Sequence, residues 1–313
     1  MRSNEVSGGE KTLLSGYVFP TFVVGTTAIS GVFVLIAWLT GIQWIAALLP
    51  VGPGLMTVIM SVAGGQSATL RDLMGSLLNV RVGARWFAVS TLLLPVIGVC
   101  ALILYTVTGD SALSIGSPHL LALLGALPLM LCNELGWRGF APRYLPRRQS
   151  LFVKSIIVGV VWLISVSPIY LVNTQELVDI PLHELGLALI PMSTLMFWLH
   201  ANTKSLLMPS IFGASGIMIT ALLPILPGNS VQGVTFWLVV GFLWLTAVVV
   251  VGYYGTDGLD RSIRELAPDE LPVDWEKIMP RADVNRKGAL RSRNGRTVRN
   301  RKSFSSVGRR SRK

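Results

Sequence analysis

The chain has 313 residues, of which 51% are hydrophobic and only 14% charged, and its mean hydropathy is +0.60. Soluble domains carry about a quarter of charged residues, so that composition excludes a water-soluble globular class and predicts an all-α, polytopic membrane protein. The formal charge of +11 gathers at the C-terminal end, and the apolar runs are continuous rather than alternating, which excludes a membrane β-barrel.

Residues 1–16 read as a polar N-terminal lead. The apolar run 17–39 is too long for a signal-peptide core and lacks a small-residue cleavage site, so it reads as a retained first span. Seven further spans are predicted over 42–62, 86–107, 119–137, 154–172, 182–200, 206–225 and 234–254, giving eight in all. The second contains Pro50-Val51-Gly52-Pro53-Gly54 and is expected to be kinked or broken. Between the second and third spans, Leu70, Leu73, Met74, Leu77 and Leu78 recur at helical spacing over about 68–82. That stripe predicts an amphipathic helix, either lying in the lipid interface or packed on the bundle.

The basic residues test this layout. Arg2 and Lys11, then Arg71, Arg81 and Arg85, then Arg138 to Lys154, Lys204, and everything from Arg261 onward fall between spans on one side. By the positive-inside rule that side is cytoplasmic, with both termini inside. The domain reading follows: a cytoplasmic lead 1–16, a transmembrane domain 17–254 and a cytoplasmic tail 255–313. Within the tail, 281–313 is rich in Arg, Lys and Ser with one acid, Asp283, and is expected to be disordered. The expected partners are the bilayer itself, anionic lipid headgroups at the tail, and a membrane protein or peptide of unknown identity. Nucleic acid is disfavoured, because within 281–313 Phe304 is the one aromatic residue for base stacking.

Charge inside an apolar run is costly and points to a site. Asn133-Glu134-Leu135-Gly136-Trp137-Arg138-Gly139-Phe140 places a carboxylate and a guanidinium four residues apart, on one helix face. A structural ion pair and the remnant of a peptide- or ligand-binding site are both open readings of Glu134 and Arg138. Of the three histidines, His119 and His183 are expected at the outer ends of spans and His200 at an inner end, as an interfacial anchor. No pair has zinc-ligand spacing. Cys100 and Cys132 are expected to be buried free thiols. Ser165, Ser167, Ser210 and Ser215 lack a neighbouring base in sequence.

Three stretches resemble, in order and spacing, the CPBP family of intramembrane proteins, which includes type II CAAX prenyl endopeptidases and lysostaphin-resistance relatives. They are Arg81-Val82-Gly83-Ala84-Arg85-Trp86, Leu135-Gly136-Trp137-Arg138-Gly139-Phe140, and Ser205-Leu206-Leu207-Met208-Pro209. The resemblance implies a leading Glu as general base for water, a His from the next helix, and a further His and Asn near the seventh span. At those positions the chain carries Asn133, Val166, Gly213 and Ile217, while Glu134 and Arg138 match retained motif residues. An amide cannot take a proton at neutral pH. No catalytic set is therefore intact, and no cofactor or metal is expected. The resulting expectation is a catalytically degenerate family member that binds a membrane, lipidated or peptide partner without cutting it. An active CAAX-type endopeptidase, with zinc, is the alternative. A small-molecule or lipid transporter is a third reading, drawn from the interrupted second span.

Overall fold

The computed structural model describes residues 6–108, 120–171, 180–223, 225 and 232–259. His119 and the predicted tail beyond Leu259 lie outside them. The described residues are helical and contain no strand. Five helices are long and apolar enough to cross a membrane: α1 (Val6–Thr40), α4 (Ala84–Thr108), α6 (Leu151–Val166, carried on by a 3₁₀ turn Ser167–Leu171), α7 (Leu182–Thr203) and α9 (Gln232–Tyr254). Two apolar helices are shorter, α2 (Val51–Ala63) and α8 (Leu207–Leu222). The predicted fourth span begins as α5 (Leu120–Glu134) and continues as a wide π-helical turn, Leu135–Phe140. Leu35, Trp38, Leu92, Ile103, Leu245 and Val249 stand exposed on α1, α4 and α9, a surface that suits lipid and not water. The chain is an integral membrane protein.

The second predicted span is broken, as its Pro and Gly residues require. A 3₁₀ turn, Gln43–Leu48, precedes α2. Ser30 Oγ on α1 donates to Leu49 O at 3.0 Å, so the turn folds back along α1. Thirteen helical residues in α2 rise only about 20 Å. The 3₁₀ turn before it packs on the protein at Ala46 and Leu49, which are buried, while Trp44 stands 68% exposed. Gly52 makes this possible, since a Cβ there would lie 2.3 Å from Ser30 Oγ.

The predicted amphipathic helix is α3 (Ser67–Leu77), shorter than the expected 68–82, with Leu78 closing it. It is docked on the bundle. Leu73 is fully buried in the main core, Leu70 and Leu77 are half-buried, and Leu78 remains 79% exposed. Its last turn and the residues after it are tied to the α7–α8 turn, where Leu206 N donates to Ser76 O at 3.1 Å and Ser205 Oγ to Asn79 O at 2.7 Å.

Helix α7 is the central helix, with Leu195, Met196, Phe197 and Leu199 fully buried. Its neighbour α6 approaches closely at Gly159, where a Cβ would sit 3.1 Å from Ile190 Cα. Ser193 Oγ donates to Ser155 O at 2.7 Å, and the Ser155 and Thr194 hydroxyls lie 3.0 Å apart. Small residues with interhelical hydroxyl bonds take the place of the hydrophobic effect, which does not drive helix association in lipid.

Hydrogen bonds also gather the basic segments at one end of this unit. Tyr144 OH donates to Gln66 Oε1 (2.7 Å), Ser76 Oγ to Lys204 O (3.0 Å), Leu151 N to Asp257 O (2.9 Å) and Asn202 Nδ2 to Leu259 O (2.8 Å). The expected burial of the thiols is corrected: both cysteines are free, but Cys100 on α4 is exposed and Cys132 on α5 is half-buried.

Candidate functional site

The site forms where α5 gives way to the π turn. A π turn places one extra residue in the hydrogen-bond ladder and is common at functional positions. Glycines let two elements, α2 and α3, close on it. A Cβ on Gly136 would lie 2.4 Å from Pro53 Cβ and 2.7 Å from Pro53 O. One on Gly54 would lie 2.9 Å from Cys132 O, and one on Gly139 would meet Leu73 Cδ2 at 2.8 Å. The first turn of α2 and the middle of α3 are thus seated directly against the motif. Trp137 is fully buried and meets Phe22 of α1 edge-on at 5.5 Å between ring centroids, and Phe140 lies 5.1 Å from the same ring.

Inside this packing, Glu134 and Arg138 are both fully buried and paired, with Arg138 Nη1 donating to Glu134 Oε1 at 2.9 Å. Asn133, 1% exposed, donates its Nδ2 to the same Oε1 at 3.0 Å. Two donors therefore converge on one carboxylate oxygen. Oε2 has no partner among the described residues, and neither do Arg138 Nε and Nη2. The guanidinium lies over the Trp162 ring at 4.8 Å and near the Phe197 ring at 5.8 Å. Two aromatic faces thus replace part of its hydration. Phe197 had no signal in the sequence, since an aromatic residue in an apolar run reads as core.

The substituted motif positions are also placed. Gly213 on α8 faces α5 and α7: a Cβ there would meet Met130 Sδ at 2.7 Å and Met196 Cε at 3.0 Å. Two thioether ends fill the space a larger side chain would take. Ile217, one turn further along α8, packs with Ala126, Met130 and Ala214. Val166 ends α6 and lies against the small cluster of Val34, Leu49 and Ile169 as well as the main core. Gly213 and Ile217 thereby lie along the α5–α8 contact beside Met130, Asn133 is engaged with Glu134, and Val166 packs toward α1.

His200 is not an interfacial anchor. It is 8% exposed, its Nδ1 lies 3.2 Å from Ser205 O, and the charges facing it are Lys204, Arg143 and Arg138. The tight turn from α7 to α8, with Lys204 in the left-handed region at φ 52°, folds that carbonyl back onto the ring. Arg143, on a 3₁₀ turn Ala141–Tyr144 outside the spans, donates Nε to Gly139 O at 2.9 Å. Burial pushes its guanidinium below the ordinary value, and Asp72 opposes that. Burial likewise pushes the Tyr144 hydroxyl up, against its bond to Gln66. His183 is exposed at the start of α7, away from the site.

A protein-bound zinc ion takes three or four Cys, His or carboxylate ligands. Among the described residues no group of three or more His, Cys, Asp or Glu side chains comes together to supply them. The groups that meet the Glu134 carboxylate are an amide and a guanidinium, both donors, so this residue set does not fit zinc.

No family model matches the chain. Over 176 residues it is 25% identical to CAAX prenyl protease 2 of Methanococcus maripaludis, an alignment covering 51% of this chain and 65% of that relative. The chain thus spans just under two thirds of the relative's length. The similarity supports a CPBP-like relationship for this membrane protein.

Proposed function

We propose that the chain is a catalytically degenerate CPBP-like membrane protein, which binds a membrane, lipidated or peptide partner around Glu134 and Arg138 without cutting it. The observation that carries this reading is the state of Asn133. Where the resemblance expects a carboxylate to take a proton from water, an amide donates its N–H to Glu134 at 3.0 Å. It has the wrong polarity for a base and is already engaged. The apolar packing of Val166, Gly213 and Ile217 supports the same conclusion. With Gly213 faced by two methionines, there is no prepared place for an imidazole. In this reading the chain works without a resident metal.

The wider arrangement belongs to the proposal as well. Eight spans carry the chain across the bilayer, with α2 and its preceding turn acting as one broken span and α5 with its π turn as another. Both termini are cytoplasmic, and the basic tail rests on anionic headgroups as a disordered segment.

The test is a proteolysis assay on the detergent-solubilised full chain, with a prenylated C-terminal peptide and a transmembrane peptide as substrates. Neither is expected to be cut above background. Cleavage that disappears in Glu134→Gln would overturn the reading. The relative's name, a prenyl protease, favours an active endopeptidase as the second reading. One zinc per chain by metal analysis of the purified protein, together with such cleavage, would establish it.

A further inference from the structure

The guanidinium of Arg138 has two working edges, and the ion pair uses little of either. Glu134 takes Nη1 through one oxygen. The side edge, Nε with Nη2, presents two parallel N–H bonds and finds no acceptor among the described residues, although the side chain is fully buried. Leaving charged donors unmade in the interior is expensive. That fork matches the two oxygens of a carboxylate or a phosphate.

We propose that the Nε–Nη2 edge of Arg138 binds the carboxylate group of a ligand, in a bidentate pair held between α6 and α7. This goes beyond the function proposed above, because it assigns a ligand chemistry to an edge that the Glu134 pair does not use, whether or not the chain cuts anything. Two observations favour a carboxylate over a phosphate. Trp162 and Phe197 lie against the guanidinium at 4.8 and 5.8 Å, and rings packed on it favour a planar group lying in the plane of the fork over a tetrahedral one. The side chain is also fully buried, which disfavours a bulky tetrahedral anion with a third oxygen to satisfy. The surroundings favour an anion. The charged groups that face His200 on the same side are Arg138, Arg143 and Lys204, and the acids in this region are Glu134, committed to Arg138, and Asp72, set against Arg143.

Entry requires side chains to move, and those nearby are suited to it. Met196 precedes Phe197, and Met130 lies one turn before Asn133. Their thioether ends meet at Gly213, and methionine swings between rotamers more readily than any branched apolar residue.

The experiment uses the full chain in detergent at fixed ionic strength, with binding followed by calorimetry. The probes are N-acetylglycine, its neutral isostere N-acetylglycinamide, inorganic phosphate, and a tetrapeptide with a free or an amidated C-terminus. Saturable binding of N-acetylglycine or of the free-acid peptide is expected, at least about tenfold tighter than the matching amide. The tighter of the two acids tells whether a small acid or a chain terminus is the source. Arg138→Lys keeps the charge and loses the fork, and should cost about tenfold or more in acid affinity. Arg143→Gln should change it less than about threefold. Acid and amide binding alike, phosphate binding tighter than either acid, or no saturable binding would overturn the proposal. So would wild-type affinity in Arg138→Lys. Should that variant not fold, the acid-against-amide comparison on the wild-type chain decides alone.

Discussion

At the scale of single residues, the balance of the molecule turns on two buried charges. Desolvating a carboxylate and a guanidinium costs several kcal/mol each, and the pair recovers this through geometry and added bonds. Here the return comes from a 2.9 Å contact, the Asn133 amide and two aromatic faces. Removing one partner strands the other. Glu134→Ala is therefore expected to destabilise the chain by about 3–5 kcal/mol, read as a fall in the unfolding midpoint in detergent. Replacing both, as Glu134→Leu with Arg138→Met, is expected to cost less than either single removal summed with the other, by about 1–3 kcal/mol. Additive costs in that cycle would mean that the two side chains are not coupled. The pairing itself was legible, because positions four apart share a helix face. Its full burial was not, because periodicity gives the face and not the neighbouring helix. His200 shows the same limit. Its place at the end of a span was readable, but the backbone turn at Lys204 that brings Ser205 O to its ring was not.

At the scale of elements, glycine positions decide how closely helices approach, and they separate two kinds of crowding. A Cβ on Gly136 meets the backbone of Pro53, at 2.7 Å from its O and 2.8 Å from its C, which cannot move aside. One on Gly213 first meets the flexible side chains of Met130 and Met196. Gly136→Ala is accordingly expected to cost about 1–3 kcal/mol or more, as overpacking does. Gly213→Ala should cost less than about 1 kcal/mol, since the methionines give way. Equal midpoints for the two variants would show that α2 is not held against the π turn. The amphipathic helix α3 poses a similar question. Its stripe in the sequence fitted lipid and bundle equally well, since either partner covers an apolar face. Burial distinguishes them: Leu73→Ala is expected to cost about 2–5 kcal/mol by opening a core cavity. Leu78→Ala, at a site 79% exposed, should stay within about 0.5 kcal/mol. A helix that merely floats at the interface would show no such contrast.

At the scale of the whole molecule, charge and hydrogen bonding point to the same end. The positive-inside pattern places the basic segments on one side. The bonds Tyr144–Gln66, Ser76–Lys204 and Leu151–Asp257 join those same segments across the bundle. The hydrogen bonds bring those segments to one end of the bundle, and the charge rule expects that end to be the cytoplasmic one. The span count was harder to read. A hydropathy run records only apolar length, so it could not show that 42–62 is a turn followed by a short helix of thirteen residues, or that the fourth run widens into a π turn just after Glu134, with Arg138 inside it. The orientation has a direct measurement. With Cys100 and Cys132 replaced by Ser, single changes Gln66→Cys, Arg147→Cys and Asp257→Cys should react with a membrane-impermeant maleimide only after cells are opened. Gly41→Cys, beyond the far end of α1, should react on intact cells. The reverse pattern would put the basic end outside, against the charge rule. A split between Gln66→Cys and Arg147→Cys would break the arrangement itself, because Tyr144 holds Gln66 at 2.7 Å and residues so joined cannot face opposite sides of a bilayer.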